Sequence, residues 1–159
     1  MRTETTESIL MTTLAELPRH AGRKLGPTEW QAMPQHRVNQ FADLTDDHNF
    51  IHVDPERARH TAFKGTIAHG YFTLSMLGPI SQRLIVVTDA RTSINYGLNK
   101  VRFPAPVPSG SKVRGTFRVE RVEESDWGSQ STYTVTIERE GGDKPVCVAE
   151  VVFRHYASE

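Results

Sequence analysis

The sequence is poor in cysteine, carries no net charge and has no long apolar run, and each absence excludes a class of protein. Its one cysteine, Cys147, cannot build an intrachain disulfide framework, which favours a reducing compartment. The 19 basic and 19 acidic side chains cancel, so no global charge attracts nucleic acid or an anionic membrane. No apolar run approaches the roughly 18 residues of a membrane-spanning helix. The sequence therefore predicts a cytoplasmic protein that binds neither nucleic acid nor membrane.

A chain of 159 residues with no internal repeat and no linker is most simply one domain, covering residues 1–159. Apolar residues at near-helical spacing predict a short amphipathic helix over residues 5–17, within the N-terminal segment 1–20. A second helix is predicted from Pro34 to about Leu44. Aspartate, asparagine and proline cluster in residues 45–55, which predicts a loop there.

The stretch from Ile67 to Leu84 is apolar on nearly all sides in its first half. We therefore expect a buried central helix over residues 67–84, kinked or ended by Gly78-Pro79. Residues 91–156 alternate with period two and predict antiparallel strands. Early helices and late strands indicate an α+β fold in which the sheet curls around the buried helix. Sheet edges left over would be covered by a second copy, so we expect a homodimer.

Residues 47–54 combine acids, an amide and two imidazoles beside three apolar side chains. Asp47 and His52, five residues apart in one predicted loop, can project into the same cleft, orient a water molecule and take its proton. Asn49 is expected to fix the shape of this loop by bonding to its own backbone. The residue types alone leave open that Asp47 only caps a turn and that His52 is a satisfied polar residue.

A metal site is the alternative interpretation of this segment. His48 and His52 are four residues apart and would suit zinc if they lay on one helix. Asn49, Asp54 and Pro55 disfavour a helix here, and no third ligand stands out. The sequence therefore predicts no metal, and it predicts that His48 faces solvent.

Gly70 follows His69 where the buried helix is expected to begin, so its N–H would have no partner within the helix. Because glycine has no side chain, a thioester carbonyl could approach that N–H closely. One such donor contributes roughly 2.7–4 kcal/mol when negative charge develops on the oxygen. The alternative is that Gly70 only permits close packing of helix and sheet, and that His69 caps a neighbouring carbonyl.

Tyr96 and Gly97 lie on a predicted strand that continues through Lys100 and Arg102. The two cationic side chains share one face of this strand and could pair with the phosphates of a nucleotide-bearing ligand. A solvated strand face also carries charges for no functional reason, so both interpretations stay open.

Together these segments resemble a known family. The hydratase 2 motif of the MaoC-like (R)-specific enoyl-CoA hydratases is similar to the pattern Asp47-x-Asn49-x-x-His52-x-Asp54, then Phe63, then Ile67-x-His69-Gly70. The strand that follows in that family, above all in its branch related to nodulation protein N, resembles Asn95-Tyr96-Gly97 with Val101-Arg102-Phe103-x-x-Pro106-Val107. The resemblance covers residues 34–155.

The resemblance implies a hot-dog fold, an antiparallel sheet wrapped around a long central helix, usually dimeric with the active site near the interface. It implies reversible syn addition of water to trans-2-enoyl-CoA, which gives (R)-3-hydroxyacyl-CoA without a metal or any cofactor besides the coenzyme A of the substrate. By position, Asp47 and His52 would be the catalytic pair and the Gly70 N–H would hold the thioester oxygen. Supporting roles fall to Asn49 and His69, and substrate contacts to Tyr96, Gly97, Lys100 and Arg102.

Two positions depart from the family pattern. Phe50 stands where the family often has proline, and Gly78 stands where some members carry serine, with Ser75 one turn earlier. These differences leave the preference for a particular acyl chain open. Two other functions also stay open: a hot-dog thioesterase that releases free thiol, and a non-catalytic module that binds acyl-CoA.

Overall fold

Helices come first and long strands come last in the computed structural model, which describes residues 9–158. Within that range a short 3-10 helix at Leu17–His20 precedes the α-helices α1 (Gln35–Thr45), α2 (Phe50–Val53), α3 (Pro55–Ala58), α4 (Gly70–Ser75) and α5 (Leu77–Leu84). The strands are β1 (Leu10–Thr12), β2 (Lys24–Leu25), β3 (Gln31–Ala32), β4 (Ile85–Val87), β5 (Ala90–Arg102), β6 (Lys112–Ser125), β7 (Gly128–Arg139) and β8 (Cys147–Ala157). No helix in this range is both long and apolar enough to cross a membrane.

The long strands form one antiparallel sheet in the order β2, β6, β7, β8, β5, and the short β3 pairs with β6 as well. Side chains along β6, β7 and β8 alternate between buried and more exposed, as expected when one face of a sheet covers a core. That face encloses α4 and α5, and the core draws on both layers: Phe72, Ile80, Phe117, Tyr133 and Val135. The predicted α+β architecture, with the sheet wrapped around a central helix, is confirmed.

The central helix is shorter than predicted and is interrupted. Residues 67–69 are extended, because the Ile67 N–H donates to Ile51 and the Ala68 N–H donates to Val107. The helix begins at Gly70 and breaks at Met76, between α4 and α5. Pro79 has no N–H to donate to the carbonyl of Ser75, the last residue of α4. This missing hydrogen bond explains why the helix breaks here.

The predicted N-terminal helix is wrong wherever the structure describes it. Residues 1–8 lie outside the described range, but Leu10–Thr12 forms β1, which pairs in parallel with β4. Leu10 and Thr12 are buried and Met11 is exposed, so this short segment has the period of a strand. Apolar residues spaced three and four apart favoured a helix, but backbone pairing with Ile85–Val87, over seventy residues away, decides the conformation.

Gly115 of β6 packs closely against Ile80 of α5. A Cβ at residue 115 would lie 2.8–2.9 Å from two side-chain carbons of Ile80, which is fully buried. We expect Gly115→Ala to lower the free energy of unfolding by about 1–3 kcal/mol through overpacking. Ile80→Ala should lower it by about 2–5 kcal/mol through the cavity it leaves. The double variant should lose clearly less than the sum, because Ile80→Ala vacates the space that the new methyl group needs.

Urea unfolding of the four proteins measures this coupling. Gly65→Ala is the matched control, because apart from its chain neighbours no heavy atom lies within 4 Å of its Cβ position. We expect that change to be neutral or stabilising by up to about 1 kcal/mol, since alanine restricts the unfolded chain. Strict additivity of the two losses would contradict the proposed contact.

Candidate active site

The segment that carries the motif is not the loop predicted over residues 45–55. It holds the short helix α2, and the side chain of Asn49 caps that helix by accepting the Ile51 N–H at 3.4 Å. The expected bond from Asn49 to its own backbone is thus confirmed. Asp54 caps the next helix, α3, by accepting the Arg57 N–H at 3.0 Å. The Asx residues that indicated a loop are therefore the caps of two one-turn helices.

His52 lies on α2 with its ring buried and its orientation fixed. Its Nδ1 lies 2.7 Å from the carbonyl oxygen of Ile67. Because a carbonyl only accepts, Nδ1 carries the proton, and the neutral ring keeps its lone pair on Nε2. The amide of Gln35 donates to the His52 carbonyl at 2.7 Å and holds the backbone of α2. His52 therefore presents a base nitrogen whose tautomer the backbone sets.

Burial lowers the pKa of His52 below its usual value of 6.5, because the charged ring would lose its hydration. The bond to the Ile67 carbonyl opposes this effect, the nearby His69 ring adds to it, and the Asp47 carboxylate opposes it more weakly. The net result is a neutral imidazole near pH 7, which is the form that a general base requires.

His69, to which the resemblance gave only a supporting role, contacts both members of the predicted catalytic pair. Its Nε2 donates to the backbone carbonyl of Asp47 at 2.9 Å. Its ring stacks on that of His52, with ring centroids 3.8 Å apart and planes inclined by 24°. It also contacts the ring of Phe41, with the two ring centroids 4.9 Å apart. The prediction that it caps a neighbouring carbonyl is confirmed, but the carbonyl belongs to the proposed catalytic acid. No local sequence pattern could place the two imidazoles face to face, since 17 positions separate them.

Asp47, His52 and His69 each bring one polar atom of the side chain to within 4.8 Å of the other two. The two imidazoles are buried, whereas the carboxylate of Asp47 lies at the exposed side of the cluster and accepts the Asn49 N–H at 3.4 Å. The structure therefore brings the predicted pair together and adds a second imidazole. This set can hold one small polar group and exchange a proton with it.

The metal pair considered from the sequence, His48 and His52, does not form. His48 is exposed as predicted, and its Nε2 lies 2.8 Å from Asp43, a bond that raises the pKa of His48. The distances among Asp47, His52 and His69 would admit a metal ion. However, Nδ1 of His52 and Nε2 of His69 carry the protons that they donate to backbone carbonyls, so only one nitrogen of each ring has a lone pair for an ion.

Gly70 is the first residue of α4, directly after His69, so its N–H has no acceptor within the helix. It borders a cavity of about 330 Å³ whose wall includes Phe63, Thr73 and Phe103. A Cβ at residue 70 would lie 3.1–3.3 Å from three carbons of the Phe103 ring. Gly70 therefore packs closely against an aromatic ring at the edge of this cavity, and contact of its N–H with a thioester oxygen stays a prediction.

The four predicted substrate contacts on β5 do not lie together. Tyr96 and Gly97 border a groove of about 300 Å³ beside Leu74–Gly78 of the central helix. Lys100 and Arg102 are paired across the strands with Glu150 and Val148 of β8. These two partners alternate with the core residues of β8, so Lys100 and Arg102 lie with them on the outer face of the sheet.

In the single chain Lys100 and Arg102 therefore do not join the cluster around His52. The guanidinium of Arg102 donates to the carbonyl of Val101 at 2.7 Å. Contact of either side chain with substrate phosphates stays a prediction. Ser75 is one turn before Gly78, the position at which some family members carry serine. Its hydroxyl donates to the backbone carbonyl of Tyr71 at 2.7 Å, and the residue is exposed.

Sequence comparison relates the chain to known proteins over most of its length. A family model described as a MaoC like domain matches residues 16–141. The chain is 49% identical over 145 residues to 3-hydroxyacyl-thioester dehydratase Z of Mycobacterium tuberculosis, covering 91% of this chain and 96% of that protein. It is 41% identical over 139 residues to nodulation protein N of Rhizobium leguminosarum, covering 86% of each.

Structural comparison gives the same relationship. The (R)-hydratase from A. caviae involved in PHA biosynthesis superposes with a TM-score of 0.71 at 27% identity, covering 85% of this chain and 96% of that one. An unliganded R-hydratase from Pseudomonas aeruginosa superposes with a TM-score of 0.73, covering 92% and 86%, and at 22% identity it supports the fold alone. The fold is the hot-dog fold of these hydratases.

The histidine hydrogen bonds predict how the rings titrate. We expect His52 to carry its proton on Nδ1 at pH 7.5 and to titrate below 6.5, because its ring is buried. His48 should titrate above 6.5, because it pairs with Asp43 at the surface. Long-range ¹H–¹⁵N NMR over a pH series measures both properties, with assignments taken from His48→Gln and His52→Gln. An Nε2–H tautomer at His52 would contradict the geometry of the site.

Proposed function

Because this chain belongs to the MaoC-like domain family, we propose that it is a hydro-lyase that interconverts trans-2-enoyl thioesters and (R)-3-hydroxyacyl thioesters. One observation carries the proposal. The Asp47 carboxylate and a His52 ring with a fixed tautomer lie together with the ring of His69, which directly precedes the helix-start residue Gly70. The relative that is 49% identical bears the name of a dehydratase acting on 3-hydroxyacyl thioesters, which is this reaction in its reverse direction.

In the hydration direction, a water molecule lies between the Asp47–His52 pair and the substrate. Its oxygen forms a bond to C3 while one O–H bond breaks, and the proton passes to Nε2 of His52. The electron pair of the C2–C3 double bond moves toward the thioester oxygen. It then returns to C2, which takes up the proton from His52 on the same face, so that one base serves both steps. Dehydration reverses each step with the same groups.

Asp47 stabilises the charged form of His52 that arises midway, because its carboxylate lies close to the ring. The N–H of Gly70 donates to the thioester oxygen when negative charge collects there. Asn49 acts through α2, since its bond to the Ile51 N–H caps this helix and thereby helps to fix the position of His52. The acid–base pair thus comes from the segment around α2, and the N–H that holds the thioester oxygen comes from the start of α4. His69 connects these two segments, because it directly precedes Gly70 and bonds to the carbonyl of Asp47.

We propose that the reaction needs no metal ion and no redox cofactor, because proton transfer and one N–H donor account for every bond that changes. Coenzyme A enters as part of the substrate, and its phosphates are the proposed partners of Lys100 and Arg102. We place the enzyme in the cytoplasm, since its lone Cys147 is buried and a reducing compartment suits it.

We also propose that the protein acts as a homodimer through the free edge of β5. Among the described strands β5 pairs only with β8, which leaves its other edge open. Three large apolar side chains on that strand are exposed: Ile94, Tyr96 and Leu98 are 42%, 53% and 46% accessible. A second copy would cover both the open edge and these side chains.

The catalytic pair is tested by hydration of crotonyl-CoA, followed as loss of the conjugated enoyl absorbance. We expect Asp47→Asn and His52→Gln each to lose over ~10² in kcat, within the range for removing a general acid or base. His48→Gln is the matched control, because this neighbouring exposed imidazole lies outside the cluster, and it should keep normal turnover. Chiral analysis of the product should give the (R)-3-hydroxy isomer.

Near-normal hydration by both catalytic variants would overturn the role assigned to the pair. Release of free thiol from saturated butyryl-CoA by the native protein would instead favour a thioesterase. Binding of crotonyl-CoA with no loss of the enoyl absorbance would indicate a non-catalytic acyl-CoA module.

The dimer is tested by sedimentation velocity. We expect Ile94→Lys with Leu98→Lys to shift the protein to a monomer, because two ammonium groups at the β5 edge would be buried against the partner copy. Leu44→Lys is the control, since Leu44 on α1 is 83% exposed and lies away from β5. A native protein that sediments as a monomer even at about 50 µM, where mass action favours association, would contradict the proposal.

A further inference from the structure

We propose that this enzyme takes enoyl thioesters whose acyl chain ends in a neutral hydrogen-bonding group, such as a hydroxyl or keto group. A polar cavity beside Ser93 and His155 receives that end of the chain. This inference rests on the proposed function and names the substrate class for the same site. It assigns a role to a cavity of about 190 Å³ that the proposed mechanism does not use.

Three cavities follow one another along the seam between the central helix and β5. The cavity of about 330 Å³ borders Gly70 and Phe103. The groove of about 300 Å³ lies further along, beside Leu74–Gly78. The polar cavity comes last and reaches Gln82 of the helix and Ser93 of the strand. The three run from the start of the helix toward its end, so an extended acyl chain that enters beside Gly70 can follow them.

The groove and the polar cavity are contiguous, because Gly78, Asn95 and Phe153 line both of them. Within the described part of the chain, no heavy atom besides its chain neighbours and its own helix lies within 4 Å of the Cβ position of Gly78. At about 1.5 Å per residue, the helix spans roughly 12 Å from Gly70 to Gly78, close to the length of an extended chain of about ten carbons. A chain of about twelve carbons would therefore place its end in the polar cavity.

The polar cavity carries hydrogen-bonding side chains on both of its walls. Ser93 is paired across the strands with His155, and its Oγ lies 2.7 Å from Nδ1 of that buried ring. Asn95 is two residues further along β5 and so lies on the same inner face. Ser81 and Gln82 of α5 border the cavity from the side of the helix. Pairing of the β5 edge with a second copy would use backbone groups rather than these side chains.

The charges around the cavity select a neutral group. Among the residues that the structure describes, its lining includes no acidic residue, lysine or arginine. Burial lowers the pKa of His155 to about 4, so the ring is neutral at pH 7. A carboxylate or ammonium group placed here would lose hydration and gain no opposite charge, which is costly.

Ser93 can bond either to a donor or to an acceptor on the ligand. Nε2 of His155 lies 3.4 Å from the Tyr133 hydroxyl, so each ring nitrogen faces a hydroxyl group that can donate or accept. When Nδ1 carries the proton, it donates to Ser93, and the Ser93 O–H can donate to a keto oxygen. When Nε2 carries it, the Ser93 O–H donates to Nδ1, and the Ser93 oxygen can accept from a ligand hydroxyl. A hydrocarbon end would displace water here without replacing its hydrogen bonds.

Hydration of matched long-chain substrates tests the inference. The measured quantity is kcat/KM for trans-2-dodecenoyl-CoA and for its ω-hydroxy derivative, each relative to crotonyl-CoA, whose short chain ends before the polar cavity. We expect the native protein to favour the ω-hydroxy substrate by about 3-fold to 10-fold, as for one net hydrogen bond. The ω-carboxy derivative should be used less well than the ω-hydroxy one, because its charge finds no cation. Equal use of the plain and ω-hydroxy substrates would overturn the proposal, and so would a preference for the carboxylate.

Two variants locate the effect in the polar cavity. In Ser93→Ala, which loses the hydroxyl group, the preference for the ω-hydroxy substrate should fall to about one. Thr92→Ala is the matched control, because this neighbouring side chain points to the opposite face of β5, and it should keep the native preference. In Gly78→Leu, whose side chain would fill the groove, kcat/KM for both dodecenoyl substrates should fall by roughly 10-fold or more relative to crotonyl-CoA.

The native preference in Ser93→Ala would overturn the assignment of the cavity. Undiminished hydration of dodecenoyl-CoA relative to crotonyl-CoA in Gly78→Leu would show that the acyl chain takes another path, which also overturns it. Failure of the native protein to hydrate crotonyl-CoA would instead overturn the proposed function, so the two failures are distinguishable.

Discussion

Two histidine rings that bond to each other's chain segments hold this site together. The ring of His52 donates to the backbone at Ile67, just before the central helix, and the ring of His69 donates to the backbone at Asp47 in the motif segment. The N–H of Ile67 adds a third bond between the segments, to the carbonyl of Ile51. Because every acceptor is a backbone carbonyl, the chain itself fixes both tautomers and leaves one lone pair on each ring.

The same segments connect the site to the core. Residues 67–69 are extended because the backbone of Ile51 and of Val107 pairs with them, and only after this segment can the central helix start at Gly70. Further along, α5 packs against β6 at Gly115, where a larger residue would collide with Ile80. The Gly70 N–H and the two imidazoles therefore keep fixed positions relative to one another, because the segments that carry them are bonded to each other and packed against the same core.

The family resemblance inferred from the motif is confirmed, and so are the hot-dog fold, the helix from Pro34 to about Leu44 and the antiparallel strands over residues 91–156. These features depend on local spacing and on alternation, which a sequence displays directly. Two of the errors share one cause. Residues 10–12 and 67–69 favoured helix by their own spacing, but distant backbone groups pair with them and make them extended. The roles assigned to Asp47, His52, Gly70 and the β5 residues are not tested by this agreement and stay predictions.

The sequence by itself determined which chemistry is available: an acid and an imidazole five residues apart, and a glycine at the start of a buried helix. These are local properties, because short-range geometry limits where neighbouring side chains can point. Only the tertiary structure decided that His69 stacks on His52, that its free nitrogen is buried, and that Lys100 and Arg102 lie on the outer face of the sheet. Those relations join residues far apart in the chain, and packing of the whole sheet around the helix sets them.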